Sequence, residues 1–218
     1  MGIHCHQPVG NFNWIFEEAY NKSYKPFLDV LEKHPGVKIS LHYSGCLLDW
    51  IDENRPEFIE RLKNFVKRSQ IELISGGYYE PILPIVSERD ALGQIKLLTE
   101  YLKKRTTYDA KGLWLTERVW EKGVIKLLSK AKIDYTIIDE YHFELAGLDV
   151  NSLSGYYEAR DGNSKINLFP SSKKLRYIMP FSKAFEVIDY LRLKATPKGD
   201  VALTFGDDGE KFGLWPHT

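Results

Sequence analysis

The fold class of this chain follows from one stretch, KGLWLTERVWEKGVIKLLSKAKIDYTIID, which covers residues 111–139. Two short apolar runs, 111–117 and 133–139, are typical of strands buried in a parallel sheet. Between them, residues 124–128 carry the apolar spacing of a helix. A strand, a helix and a second strand in this order predict a parallel crossover unit and therefore an α/β fold.

The same alternation extends outward in both directions. Further strands are predicted over residues 3–6, 37–42, 70–75, 165–169, 175–179 and 200–206, and further helices over 56–67, from Ser87 onward and over 184–191. About seven strands of this kind predict a seven-stranded (β/α) barrel, a relative of the TIM barrel. An open, doubly wound sheet is the alternative, although no glycine-rich phosphate loop follows any predicted strand.

Composition and charge exclude several classes of protein. The 218 residues include 30 Lys and Arg against 30 Asp and Glu, so the formal net charge is zero. A nucleic-acid-binding module normally carries a basic surplus, and no apolar run is long enough to span a membrane. The two cysteines, Cys5 and Cys46, do not make a disulfide framework. Since no secretory signal precedes His4, we predict a cytoplasmic protein that binds neither nucleic acid nor membrane.

Polar side chains follow most of the predicted strands at the point where each strand ends. The carboxyl ends of parallel strands share one side of a sheet or barrel, and α/β enzymes carry their active sites there. We therefore expect these side chains to lie close together. The strand-end residues are His4, His6, His42, Glu80, Glu117, Asp139, Asp207, Asp208 and Glu210.

Carboxylic groups on different strands suggest glycoside chemistry. Glu117 ends one apolar strand, and Asp207 and Asp208 end another. A retaining enzyme holds two carboxyl groups about 5–5.5 Å apart, one to attack C1 and one to protonate the leaving oxygen. Adjacent acids repel each other, which raises one pKa toward the range of a general acid. Flat faces for sugar rings are available from Trp114, Trp120 and Trp215.

Each of these features also has an ordinary structural explanation. A glutamate after a strand is commonly a surface or capping residue, and the Asp-Asp-Gly segment at residues 207–209 is typical of a turn. Trp114 lies within its strand and is typical of core. The coincidence of all of them at predicted strand ends is what favours a site.

A metal site is the second hypothesis. His4 and His6 are two residues apart on a strand, so their rings project from the same face. With Asp139 or Asp207 they predict the zinc ligands of a polysaccharide deacetylase-like hydrolase, in which the metal activates water. A third hypothesis is non-enzymatic: a truncated barrel that binds glucan without turnover, or a fragment with no independent function.

Four segments of the chain resemble, in order, the first four signature regions of glycoside hydrolase family 57. The resemblance is strongest to the branch of 4-α-glucanotransferases and α-amylases, and it covers essentially the whole chain. The segments are His4-Cys-His6-Gln7-Pro8, residues 70–81 (QIELISGGYYEP), residues 114–121 (WLTERVWE) and residues 207–213 (DDGEKFG).

The resemblance implies a seven-stranded (β/α) barrel that acts on α-1,4-glucans with retention and needs neither metal nor cofactor. Matched residue by residue, it implies that Glu117 is the nucleophile and that Asp208, rather than Asp207, is the acid/base. Sugar contacts are also expected. The predicted substrate-binding residues are His4, His6, Glu80, Trp120, Asp207, Glu210 and Trp215.

The resemblance further implies one domain, a catalytic barrel over residues 1–218. Members of the family continue with a helical segment and often a β-sandwich, so we expect a partial barrel that is truncated at both ends. The expected partner is an α-1,4-glucan or maltooligosaccharide. The glucan is transferred to sugar in a 4-α-glucanotransferase and to water in an α-amylase, and the sequence leaves that choice and the oligomeric state open.

Overall fold

The computed structural model describes residues 1–216 and residue 218, and this part of the chain alternates strands with helices. The strands are β1 Gly2–Cys5, β2 Ile39–Tyr43, β3 Ile71–Leu73, β4 Gly112–Trp114, β5 Tyr135–Asp139, β6 Tyr157–Asp161, β7 Ser164–Ser171 and β8 Gly206–Asp208. The α-helices are α1 Asn13–Ala19, α2 Lys25–Lys33, α3 Gly45–Asn54, α4 Pro56–Lys67, α5 Glu88–Thr106, α6 Gly123–Lys130, α7 Glu140–Leu145, α8 Lys173–Ile178 and α9 Ala184–Lys194. Short 3-10 turns cover Leu83–Ile85, Thr116–Arg118, Val150–Ser152 and Gly209–Lys211, and a π-helical turn, Tyr20–Tyr24, joins α1 to α2.

Two four-stranded sheets form the centre of the fold. The first has the order β3–β2–β1–β8 and is parallel throughout. The second has the order β4–β5–β7–β6, in which β6 alone runs antiparallel to its neighbour. Parallel bridges also join Ser75, just after β3, to Leu113 in β4, and Ser171 in β7 to Thr204, just before β8. The predicted α/β class with parallel strands is confirmed.

Two long helices illustrate why these segments fold as they do. α4 begins at Pro56, whose fixed φ suits the first helical turn. α5 begins after Ser87, whose hydroxyl accepts a hydrogen bond from the backbone N–H of Asp90, as the sequence predicts. Burying each large apolar side chain of α4 contributes about 1.5–3 kcal/mol. These side chains are Phe58, Ile59, Leu62 and Phe65.

Two apolar clusters fill the interior of the described chain. The first surrounds β1, β2 and β3 and includes Ile3 and Leu41. The second surrounds β4, β5 and β7 and includes Leu113 and Ile138. None of the described helices combines the length and the apolar character that a membrane crossing requires.

Two predicted strands differ from the structure. The strand predicted over residues 175–179 is wrong, because Lys173–Ile178 form α8. The hydroxyl of Ser172 accepts a hydrogen bond from the backbone N–H of Leu175, and this helix cap outweighs a short alternation of apolar residues. Within residues 200–206, only Gly206 belongs to a strand, since β8 is confined to Gly206–Asp208.

Candidate active site

Three aromatic rings stack in the interior at the ends of β1, β2 and β4. His4 and His42 are partners in the register of β1 and β2, and their Nδ1 atoms are 2.8 Å apart in a hydrogen bond. The ring of Trp114 lies 4.7 Å from that of His4 and is tilted by only 3° from it. Gly76 allows this packing, because a Cβ at that position would lie 2.4 Å from Nε2 of His42.

Burial decides the charge of this stack. It lowers the pKa of His4 well below its usual value, and it lowers the pKa of His42 to about 3. Both rings are therefore neutral at physiological pH. A hydrogen bond between two neutral imidazoles fixes opposite tautomers, since one Nδ1 donates and the other accepts.

Glu80 lies against both histidines. Its Oε1 is 3.5 Å from Nε2 of His42, and its Oε2 is 4.0 Å from Nε2 of His4. Burial raises the pKa of Glu80 to about 8, an effect reinforced by the charge of Glu117 and opposed by the hydroxyl of Thr116. The side chain is 6% exposed. A carboxyl group is thus available in the interior in its protonated form.

His4, His42 and Glu80 also bring their donor atoms close enough together to suit a metal ion. Their hydrogen bonding does not fit one. The neutral ring that accepts at Nδ1 keeps its proton on Nε2, so that nitrogen has no lone pair for a metal. Two histidine ligands would require the Nδ1 hydrogen bond to break.

Of the zinc ligands predicted from the sequence, His4 belongs to this trio, but His6, Asp139 and Asp207 have other partners. Nδ1 of His6 is 2.8 Å from the hydroxyl of Ser44. Asp139 accepts from two arginines, and Asp207 is paired with Lys211. The deacetylase-like alternative is therefore not favoured.

Glu117 lies just beyond β4 in the 3-10 turn Thr116–Arg118. Both Glu117 and Arg118 have positive φ, 53° and 52°, a conformation that costs non-glycine residues energy and is found at functional sites. The carboxylate is exposed, and its charge acts on His6 and Glu80. The turn thus presents an accessible carboxylate beside the buried trio.

The two aspartates of β8 have different surroundings. Asp208 is the register partner of His4, whereas Asp207 pairs with Ile3. Burial raises the pKa of Asp208, and the neighbouring Asp207 raises it further. A half-buried carboxyl with a raised pKa suits a general acid. This difference supports the choice of Asp208 that the resemblance implies.

Asp207 is sealed in the interior. Its side chain has no exposed surface, and its Oδ2 is 2.7 Å from Nζ of Lys211 and 3.5 Å from Nε of Arg176. A side chain in this position contacts neighbouring strands and helices rather than a ligand in the cleft. Its burial does not favour the substrate contact predicted for it, which stays a prediction.

A chain of ion pairs extends from Asp207 to the turn that carries Glu117. Arg176 of α8 reaches both Asp207 and Asp139, and Arg118 also binds Asp139, with both nitrogens 2.9 Å from the same Oδ1. Arg118 follows Glu117 directly in the sequence. The network therefore ties the ends of β4, β5 and β8 together.

Glu210 anchors the segment after β1. Its Oε1 accepts hydrogen bonds from the backbone N–H of His6, at 3.0 Å, and from the hydroxyl of Tyr24. Burial raises the pKa of Glu210 to about 7, while these two donors oppose the rise. The sugar contacts predicted for His6 and Glu210 stay predictions.

The two predicted sugar-binding tryptophans have different exposure. Trp120 is half-buried and packs against the second apolar cluster. Trp215 is 44% exposed, with Nζ of Lys211 lying 5.1 Å from its ring. Its ring centroid is 6.3 Å from that of Phe181. Trp215 is thus partly accessible beside Lys211 and Phe181, and sugar binding by either tryptophan stays a prediction.

Sequence reasoning assigned no role to four residues of this region. His42 ends a predicted strand, so the sequence indicates its position, but only the register of β1 and β2 brings it to His4. The sequence suggests no role for Thr116, Arg118 and Arg176 beyond their nearness to motifs. Their partners come from other strands and helices, which residue spacing does not reveal.

Carboxyl groups on separate strand ends of a parallel α/β fold suit the chemistry of the glycoside hydrolases. The chain belongs to one family of that class, glycosyl hydrolase family 57, whose sequence profile matches residues 1–218.

Known relatives agree with this assignment. The chain is 48% identical to an α-amylase of Pyrococcus abyssi and 47% identical to a 4-α-glucanotransferase of Thermococcus litoralis, in each case over all of this chain and 33% of the relative. The crystal structure of 4-α-glucanotransferase from Thermococcus litoralis matches with a TM-score of 0.95 over 99% of this chain and 34% of that one. The chain thus spans about a third of the length of these relatives.

Proposed function

We propose that this chain carries the catalytic carboxylates of a retaining enzyme that cleaves α-1,4-glucosidic bonds. The observation that carries the proposal is the unequal environment of two acids: an exposed carboxylate at Glu117 and a half-buried carboxyl with a raised pKa at Asp208. Retaining glycosidases need this division between nucleophile and acid. The relatives named α-amylase and 4-α-glucanotransferase support an α-glucan as substrate.

The proposed reaction has two steps. In the first, the carboxylate of Glu117 attacks C1 of the sugar while Asp208 donates its proton to the departing glycosidic oxygen, which leaves as an alcohol. A glycosyl ester on Glu117 results. In the second, Asp208 accepts a proton from the incoming hydroxyl as its oxygen attacks C1, and Glu117 is released. Each step inverts the configuration at C1, so the two steps together retain it.

The acceptor distinguishes two candidate activities. Water gives hydrolysis and a sugar hydroxyl gives transfer, and both use the same intermediate. Relatives of nearly equal similarity carry both names. We therefore propose hydrolysis and transfer as two candidate activities, since the roles of Glu117 and Asp208 are the same in both.

A seven-stranded parallel barrel is the architecture we propose for this site. β1, β2, β3, β4, β5, β7 and β8 would form the ring. The bridges between Ser75 and Leu113 and between Ser171 and Thr204 support it, because they join the two sheets at both of the remaining seams. Such a ring would gather the ends of β4 and β8 at one opening.

Product analysis tests the proposal. Maltooligosaccharides of one length are incubated with the chain, and the products are separated by chromatography. Longer and shorter products together indicate transfer, and shorter ones alone indicate hydrolysis. Binding without any new product would contradict the proposal and leave a glucan-binding protein. Acetate released from an acetylated glucan, with no change in chain length, would instead favour the deacetylase-like activity.

A further inference from the structure

Two buried polar atoms of the interior trio have no hydrogen-bond partner. They are Nε2 of His42 and Oε1 of Glu80, which face each other at 3.5 Å. This separation is about 0.5 Å longer than an ordinary hydrogen bond. Buried polar atoms are nearly always paired, so the protonation of this trio needs an explanation.

The hydrogen bond between the histidines determines what the pair offers to Glu80. One Nδ1 donates and the other accepts, so the first ring has a free lone pair on Nε2 and the second has a proton there. A protonated carboxyl group has one O–H donor and one carbonyl acceptor. A protonated Glu80 complements both rings, because its O–H suits the Nε2 with a lone pair and its carbonyl oxygen suits the Nε2 with a proton. A carboxylate would instead place an oxygen lone pair against the lone pair of one Nε2.

Apart from the hydroxyl of Thr116, which lowers the pKa of Glu80, the groups around Glu80 do not stabilise a negative charge. It faces His4 from β1, His42 from β2, and Thr116 and Glu117 from the turn after β4, while Cys46 of α3 lies within electrostatic reach. No lysine or arginine nitrogen lies within 4.0 Å of it among the residues that the structure describes. The charge that acts on the pKa of Glu80 is the negative one of Glu117, which raises it. Arg118 also acts on the trio, but it lowers the pKa of His4 and so opposes an imidazolium.

We infer that Glu80 functions as a neutral carboxylic acid, whose O–H donor and carbonyl acceptor complement the lone pair and the N–H that the two histidines present at Nε2, and which leaves Glu117 as the charged carboxylate beside it. His42 is then a positioning residue, because it acts through His4 and Glu80. A second carboxylate at Glu80 would favour protonation of its neighbour, which would take away the nucleophile. The role in catalysis rests on the proposed function, whereas the protonation state does not.

Infrared difference spectroscopy tests the protonation state directly. The spectrum of the chain at neutral pH is compared with that of Glu80→Gln, and Glu60→Gln serves as the control because its side chain is 64% exposed. We expect a carbonyl band of a protonated carboxyl group that Glu80→Gln loses and Glu60→Gln keeps. The band should vanish above pH 9 in the unmodified chain. A spectrum without such a band would overturn the inference.

Nuclear magnetic resonance of the unmodified chain covers the case in which Glu80→Gln does not fold. Nitrogen-15 shifts of His4 and His42 distinguish the two neutral tautomers from an imidazolium. We expect one ring of each tautomer from pH 6 to 7. An imidazolium at either residue would mean a charged Glu80 and would contradict the inference.

A kinetic test addresses the role beside Glu117. The acid limb of the pH profile is measured with a glycosyl donor that has a good leaving group, so that Asp208 is not needed and the limb reports the nucleophile. We expect the midpoint of the acid limb at the same pH in the unmodified chain and in Glu80→Gln, even if the maximal rates of the two differ. A shift of one pH unit or more toward acid in Glu80→Gln would show that Glu80 was charged. Absence of any turnover would count against the proposed function alone, since the two spectroscopic tests would still decide the inference.

Discussion

Nζ of Lys211 lies 2.7 Å from Oδ2 of Asp207, and this buried ion pair gives Asp207 different surroundings from Asp208, its neighbour in β8. Asp207 is committed to Lys211 and Arg176, whereas Asp208 is the register partner of His4 and remains partly accessible. On a strand, neighbouring side chains point to opposite faces. Only one of the two can therefore lie on the same face of the sheet as His4, and that residue is Asp208.

Replacing Asp208 by alanine should remove the proposed acid/base and leave the proposed nucleophile, Glu117. We expect turnover of maltooligosaccharides to fall by about 10²–10⁴-fold. A donor with a good leaving group should still glycosylate the protein quickly, because it needs little protonation. Azide should then rescue turnover and give a product of retained α configuration, since it attacks the glycosyl ester from the side that Asp208 occupied.

The matched variant Asp207→Ala provides the comparison. If it showed the azide rescue and Asp208→Ala did not, the acid/base would be Asp207. Product configuration is read from the anomeric coupling in a proton spectrum.

Asp207→Ala should act on stability instead. The change leaves Lys211 buried without its carboxylate, a defect that costs about 3–5 kcal/mol when one partner of a buried pair is lost. Unfolding in urea measures the loss. Asp189→Ala removes a partner of Arg192 on the exposed face of α9 and should change stability little. Equal effects of the two variants would argue against a structural role for the Asp207 pair.

Chelation should leave the activity unchanged. The tautomers of His4 and His42 do not supply two ligands for a metal while their Nδ1 hydrogen bond persists. We therefore expect the same rate of glucan turnover before and after dialysis against EDTA. Loss of activity that zinc restores would contradict this and revive the deacetylase-like alternative.

Glu80 should make stability depend on pH. Its pKa is about 4.3 in an unfolded chain and about 8 in the folded one, so the folded state binds the proton more tightly. The contribution of Glu80 to the free energy of unfolding is complete at a pH below its pKa in the unfolded chain. It is lost as the pH rises toward 8, by about 1.4 kcal/mol per pH unit. His4 and His42 act in the opposite sense, since their lowered pKa values favour the folded state at higher pH.

A comparison of variants separates these contributions. The free energy of unfolding is measured in urea from pH 5 to pH 8 for the unmodified chain, Glu80→Gln and Glu60→Gln. The slope assigned to Glu80 should be absent from Glu80→Gln and present in Glu60→Gln. Parallel curves for all three would mean that Glu80 does not hold a proton in the folded state.

The parts of the fold that sequence predicts are those determined by local periodicity and chain direction. Residues 111–139 do contain β4, α6 and β5 in the predicted order. Glu117 and Asp208 could be located at strand ends because parallel strands share one direction.

Other parts depend on contacts between distant residues. α8 forms because Ser172 caps it and Leu175 is buried, although the local pattern suggests a strand. The pairing of His4 with His42 requires the register of two strands, and the link from Arg118 through Asp139 to Arg176 joins three elements. Neither of these contacts can be predicted from the spacing of residues along the sequence. The sequence therefore located the strand ends that carry the candidate acids but not the contacts that hold them.

The most direct test of the account is to find which residue becomes glycosylated. A fluorinated α-glucosyl donor forms the ester quickly but releases it slowly, and mass spectrometry of the digested protein identifies the modified side chain. We predict a label on Glu117 in the unmodified chain and in Glu80→Gln, and none in Glu117→Gln, whose amide is nearly isosteric but does not attack C1. A label on Glu80, Asp208 or Glu210, or full turnover by Glu117→Gln, would contradict the central claim.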